Sequence, residues 1–265
     1  MTSGHTISVR ALGTFGVAFN GRPVERWRAG KARHLLQFLL LHPNQTMSHD
    51  LLHDALWPSA PGPTSSSCLK VAVHGLRKTL SQAQISRNLE NFGSYLRVCT
   101  CESGYKLETS NVWVDYSEFE SLIDHAHRAQ KSGDLHGAEE LFAKAGELYE
   151  GDFLPGLPDD WAATQREWLR SRALFALGFL ARRRLKQGDH LAVIDLGRRM
   201  LAIDSLYEEA YRMLISVHAE LGQLAQVRRW YSLCAKRFRD ELQVVPDNET
   251  RGLYEHALRG NHHVG

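Results

Sequence analysis

Lys70, His74, Arg77 and Lys78 lie close together in the stretch TSSSCLKVAVHGLRKTLSQ, between Thr64 and Gln82. Ammonium, imidazole and guanidinium groups donate hydrogen bonds, which suits them to phosphate oxygens and to the acceptor edges of bases. Leu69, Val73, Leu76 and Leu80 recur at helical spacing on the other side. The stretch therefore predicts a helix with one apolar and one basic face. Hydroxyls from Thr64 to Ser67 suit its N-cap, where a side-chain oxygen accepts an amide proton that the first turn leaves unpaired. The major groove of DNA is wide enough to admit such a helix. A solvated surface helix has the same pattern, so the neighbouring elements have to decide between them.

Other groupings point to less chemistry. His49, Asp50, His53 and Asp54 share one predicted helix at a spacing that suits a metal, but they lack a third ligand and the glutamate of HExxH, and they read as a solvated face. Gly30-Lys31 has neither the upstream glycine nor the hydroxyl of a phosphate-cradling loop, and no Gly-x-Ser-x-Gly elbow occurs. Cys68, Cys99, Cys101 and Cys234 are too scattered for a disulfide framework or a zinc site. Arg182-Arg183-Arg184 reads as the wet side of a long helix, with a second DNA patch as the alternative. No enzyme, cofactor or metal site is expected.

At 265 residues, 43% hydrophobic and 23% charged, the chain suits one large or two ordinary globular domains. The net charge of +2 hides an asymmetry: residues 1 to 115 carry 12 Lys+Arg against 7 Asp+Glu, and residues 116 to 265 carry 20 against 23. A basic first half beside a mildly acidic second half fits a nucleic-acid module followed by a protein-contact module. No signal segment or run of eighteen apolar residues is found, so a cytoplasmic, unanchored protein is expected.

The elements around the basic helix follow in order. Ile7 to Leu12 and Thr14 to Phe19 predict two strands, and Asn20-Gly21 supplies the backbone angles of a tight hairpin turn. Ala32, Leu35, Leu36, Leu39 and Leu40 form a stripe broad enough for a buried helix, which Pro43-Asn44 ends. Ser48 caps a second helix, HDLLHDALW, and a proline-rich loop leads to the third. Tyr95 to Cys99, a Ser103-Gly104 turn and Tyr105 to Leu107 predict a hairpin, or wing. Arg97 and Lys106 lie on this wing, where contact with phosphate would add affinity without sequence information. Val112 to Val114 is expected to return to the sheet before Asp115.

This order resembles the winged helix-turn-helix effector domain of response regulators. Residues 7 to 260 resemble the Streptomyces antibiotic regulatory protein family, in which that domain precedes a bacterial transcriptional activation domain. The resemblance is carried by LLQFLLLHPNQTMSHDLLHDALWP, LKVAVHGLRKTL, SGYKLE, WVDYSEFE, GDFLPGLPDDW and RDELQVVPDNETRGLYEHAL. It implies DNA-contact roles for residues 66 to 78 and 97 to 106, which adds Ser66 and Ser67 to Lys70, His74, Arg77, Lys78, Arg97 and Lys106. Gly75 stands where family members commonly carry a basic or polar residue, which implies a lost DNA contact at that position.

Residues 116 to 265 predict helices at 116–131, 135–150, 160–186, 190–203, 207–221, 223–242 and 247–259. The turns Gly188 and Gly222 are 34 residues apart, the tetratricopeptide period, and Ala138, Ala192 and Val227 follow three such turns where helices approach closely. EGDFLPGLPDDW reads as an insertion in the array. The expected architecture is an α+β winged helix-turn-helix domain over 1–115, an all-α tetratricopeptide-like array over 116–260 and a disordered tail at 261–265. The expected function is promoter recognition on direct repeats by two copies of the chain, with RNA polymerase contacted by the array. An adaptor whose winged helix binds protein, or a sensor or enzyme with a pocket in the array, is the alternative.

Overall fold

A computed structural model of the chain describes residues 6–27, 30–58, 65–85, 93–157 and 160–259. Thr64, the first of the capping hydroxyls, and the tail at 261–265 lie outside these residues, and so does the side chain of Ser66. The chain forms two units, one of residues 1–118 with 150–166 and the other of residues 119–149 with 167–265.

In the first unit β1 (Ile7–Arg10) and β2 (Gly16–Phe19) pair antiparallel, and β3 (Arg22–Pro23) adds to the edge of β2. Asn20 and Gly21 both take positive φ, 49° and 74°, the left-handed conformation that a two-residue hairpin turn requires. α1 (Ala32–Leu40) buries Leu35, Leu36 and Leu39 completely. β4 (Thr46–Ser48) follows, and the Ser48 hydroxyl accepts from the Leu51 amide to cap α2 (His49–Leu56). α3 (Ser65–Ile85) packs Leu69, Val73, Leu76 and Leu80 into the same core as α1 and α2. β5 (Tyr95–Cys101) and β6 (Gly104–Ser110) form the wing, with β4 on the outer edge of β6. β7 (Val112–Val114) returns to the sheet as expected and pairs parallel with β1.

The Asp115 side chain fixes the end of β1. Its carboxylate accepts from the amides of Ala11 (2.8 and 2.9 Å), Leu12 (3.0 Å) and Tyr116 (2.7 Å) while only 4% of the residue is exposed. Burial pushes this carboxyl up to about 6, against the amides that favour the charged form. Beside it the Tyr116 hydroxyl donates to the Leu40 carbonyl at 2.8 Å, which ties the end of α1 to the same corner.

EGDFLPGLPDDW, read as an insertion, does interrupt the helical array, and it belongs with the rest of residues 150–166 to the first unit. The Gly13 amide donates to the Asp152 carbonyl (3.0 Å) and the Leu154 amide to the Ala11 carbonyl (2.8 Å), and Phe153 is buried. Trp161 meets the edge of Phe38 at 5.2 Å. Arg166 gathers the carbonyls of Phe153, Leu154 and Leu157. Buried backbone acceptors need partners, and an arginine carries enough donors to supply three.

The second unit is all helix. α4 (Asp115–Lys131) and α6 (Asp160–Lys186) continue into it across the boundaries at 118 and 166, joined by α5 (Leu135–Leu148), α7 (His190–Ile203), α8 (Glu208–Glu220), α9 (Leu224–Arg237) and α10 (Asn248–Arg259). Gly133, Gly188 and Gly222 all take positive φ at the turns, and the Asp134 and Asp189 side chains cap the helices that follow two of them. The closely packed residue after each turn is Ala138, Val193 or Val227, each fully buried. Ala192, expected in this role, is one register off and only partly buried. The last five residues of the predicted helix 223–242 widen into a π-helical turn, Phe238–Leu242, which Gln243 ends at φ 58°.

Candidate nucleic-acid interface

The residues of α3 divide as the periodicity predicted. With the leucines in the core, Ser67, Lys70, Val71, His74, Lys78 and Ser81 are exposed along the opposite side. No Asp or Glu occurs in the 21 residues of the helix. Lys70, His74 and Lys78 make no ion pair among the described residues. Val71, at 62% exposure, stands between Lys70 and His74 as the large apolar side chain of this face. Sequence reasoning missed it because its spacing fits neither the leucine stripe nor the basic set.

Two expectations about this helix change. Arg77 does not extend with Lys70 and Lys78: its Nε donates to the Val98 carbonyl (2.9 Å), its Nη2 to the Thr100 hydroxyl (2.7 Å), and its guanidinium lies 5.7 Å from the Tyr105 ring centre. It ties α3 to the wing. Gln84, also unforeseen, makes a second tie, donating to the Leu96 carbonyl at 3.0 Å. Gly75 faces the protein interior and its carbonyl accepts from Thr79 Oγ1 at 2.9 Å. The lost contact that the resemblance implied thus falls at a buried position and not on the exposed face.

The hairpin has the predicted turn, with Cys101 opposite Gly104 and strands reaching Tyr95 and Ser110. Arg97 and Lys106 both turn to Glu108. Arg97 Nε and Nη2 donate to Glu108 Oε2 at 2.9 and 2.8 Å, and Lys106 Nζ lies 2.7 Å from Oε1. Lys106, Arg97 and the nearby Cys99 thiol hold the Glu108 carboxyl down to about 2. Gly104 places the wing against β4: a Cβ at this position would collide with the Met47 carbonyl. Gly104→Ala is expected to separate β4 from β6 and to lower stability by about 1 to 3 kcal/mol, the usual cost of forcing an atom into a packed site, measured as a shift in the urea midpoint.

The histidine and aspartate set of α2 is largely the solvated face expected: His49, Asp50 and Asp54 are exposed and His53 is half-buried. His53 stacks on Trp57 with ring centres 5.8 Å apart, and His49 meets the edge of Tyr105 at 5.2 Å. The four α2 residues, with Leu69, Lys70 and Tyr105, line a cleft of about 530 Å³ at the start of α3. Among the described residues no three His, Cys, Asp or Glu come together to hold a metal ion. The arginine triplet of α6 is engaged in pairs, Arg182 with Glu209 and Arg183 and Arg184 with Glu139. No helix among the described residues is long and apolar enough to cross a membrane.

Comparison with known proteins gives this geometry a family. A model described as Bacterial transcriptional activator domain matches residues 114–258, and one described as Transcriptional regulatory protein, C terminal, matches residues 27–92. The chain belongs to the bacterial transcriptional activator domain family. The resemblance to Streptomyces antibiotic regulatory proteins read from the sequence holds with it. The regulatory protein AfsR of Streptomyces coelicolor is 26% identical over 247 residues, which is 90% of this chain and 24% of AfsR. The regulatory protein DnrI of Streptomyces peucetius is 25% identical over 261 residues, 96% of this chain and 93% of DnrI. The chain thus spans about a quarter of AfsR and nearly all of DnrI. The solved structure of Mycobacterium tuberculosis EmbR in complex with a low-affinity phosphopeptide aligns with a TM-score of 0.74 at 20% identity, covering 97% of this chain and 66% of that one. That likeness establishes the fold: a winged helix-turn-helix followed by a tetratricopeptide-like helical array.

Proposed function

We propose that the chain is a sequence-specific DNA-binding transcriptional activator of the cytoplasm, whose two copies bind promoter direct repeats and whose helical unit contacts RNA polymerase. The observation that carries this reading is the exposed face of α3, where Ser67, Lys70, Val71, His74 and Lys78 lie together on a helix without a carboxylate. Such a face lowers its energy beside phosphate, and donors with one apolar contact suit the edges of bases in the major groove. A protein-binding adaptor would need a continuous apolar patch here, but Val71 is flanked by polar groups. In this reading α3 supplies the base contacts. Residues 116–260 supply contact with the polymerase or with the second copy. The names of AfsR and DnrI as regulatory proteins support the same reading.

One recognition helix reads too few base pairs to mark a single genomic site, so two copies are required. Direct repeats arrange them head to tail on one face of the duplex, with repeat centres about 10 to 10.5 base pairs apart. Footprinting of the promoter nearest the protein's own gene is expected to show two such repeats. Inserting half a helical turn between them is expected to abolish cooperative protection, because the second copy would face the opposite side of the DNA. Cooperative protection that survives the insertion excludes this arrangement.

A further inference from the structure

We propose that Glu108 is a positioning residue of the wing, holding Arg97 and Lys106 as an internal substitute for phosphate and so setting how much sequence-independent affinity the wing supplies. The inference rests on the reading of α3 and the wing as a DNA interface and assigns a role within it.

The hairpin register creates the arrangement. Glu108 stands opposite Arg97, and Lys106, two residues along β6, shares its face of the sheet. Both carboxylate oxygens are engaged, Oε2 by two donors of Arg97 and Oε1 by Lys106. Two guanidinium donors meet the one oxygen Oε2, a charge-assisted contact that they can equally make with a phosphate oxygen. The Arg97 guanidinium lies 4.7 Å from the Tyr95 ring centre, which keeps it over the strand. A DNA phosphate approaching this face must either displace the carboxylate or accept its repulsion. Both routes weaken contacts that carry no sequence information, while Lys70, Val71, His74 and Lys78 on α3 are untouched.

The test uses the full chain and a duplex of arbitrary sequence, with binding followed by fluorescence anisotropy at salt concentrations from about 50 to 200 mM. Glu108→Gln keeps the shape and removes the charge. Releasing two cations is expected to steepen the dependence of log affinity on log salt by up to about 1.8, which is about tenfold more affinity lost across that range, with tighter binding at its low end. Glu108→Thr, a residue suited to strands, gives the same readout if the amide disturbs the hairpin. Adding Arg97→Gln and Lys106→Gln to either variant is expected to return the slope to the wild-type value or below.

Equal slopes and affinities for wild type and both Glu108 variants would overturn the proposal while leaving the DNA reading intact. A steeper slope that persists after both cations are removed overturns it as well, because it would then reflect only the lost negative charge. A wild-type chain that binds no duplex at low salt removes the DNA reading and the proposal with it.

Discussion

Asp115→Ala is expected to destabilise the first unit by at least about 3 kcal/mol, because the amides of Ala11 and Leu12 would be left without partners and each buried unpaired donor costs about 1 to 3 kcal/mol, in addition to the cavity. Denaturant unfolding measures the loss. The gap between wild type and variant also depends on pH, with a definite sign. The folded carboxyl titrates at about 6 against an ordinary 3.8, so its protonated form is favoured in the folded state. Its contribution is fully present below pH 4 and is lost as pH rises through 6, by up to about 3 kcal/mol. The wild type is therefore expected to exceed the variant by more at pH 4 than at pH 7. A gap that stays constant between those values would show that the buried carboxylate is ionised throughout.

Replacing Lys70 and Lys78 together with glutamine is expected to reduce binding to every DNA sequence on the order of 10- to 100-fold at moderate salt and to flatten the salt dependence by roughly 2. Both side chains are exposed on α3, so the fold should tolerate the change. Val71→Ala on the same face is the matched comparison: it leaves the charge unaltered and is expected to change the preference among sequences while keeping the salt slope. Equal affinity for wild type and the double lysine variant at every salt concentration would remove α3 from the interface. Arg77 does not serve for this purpose, since its loss would detach α3 from Val98 and Thr100 before any effect on DNA is read.

What the sequence made legible here was local. The apolar stripe of α3, the Asn20-Gly21 turn, the Ser48 cap and the helical repeats each follow from residues a few positions apart, and the structure carries all of them. The partners of Arg77 lie 21 and 23 residues away, and Glu108 meets Arg97 across 11 residues of hairpin. Those pairings depend on which strand residues face one another, and a slip of one position would turn Arg97 and Glu108 to opposite sides of the sheet. The placement of 150–166 depended on longer range still. Its residues read as an insertion, and the amides of Gly13 and Leu154 and the contact of Trp161 with Phe38 reveal that it also closes the first unit. Val71 was visible in the sequence, but its spacing placed it in neither the leucine stripe nor the basic set.

The return of residues 150–166 to the first unit bears on how such chains can be recombined. A crossover after Glu118 would graft a foreign Phe153, Trp161 and Arg166 onto the strand ends and the α1 helix they must fit, although the break falls where the first continuous stretch of that unit ends. Exchanges that preserve the fit must either carry everything through Arg166, bringing the α4–α5 hairpin with the first unit, or splice that hairpin out between 118 and 150 as a cassette. The unit that carries α3 and the wing in this chain is thus longer than they are, and its two stretches are separated by a segment that belongs to the other unit.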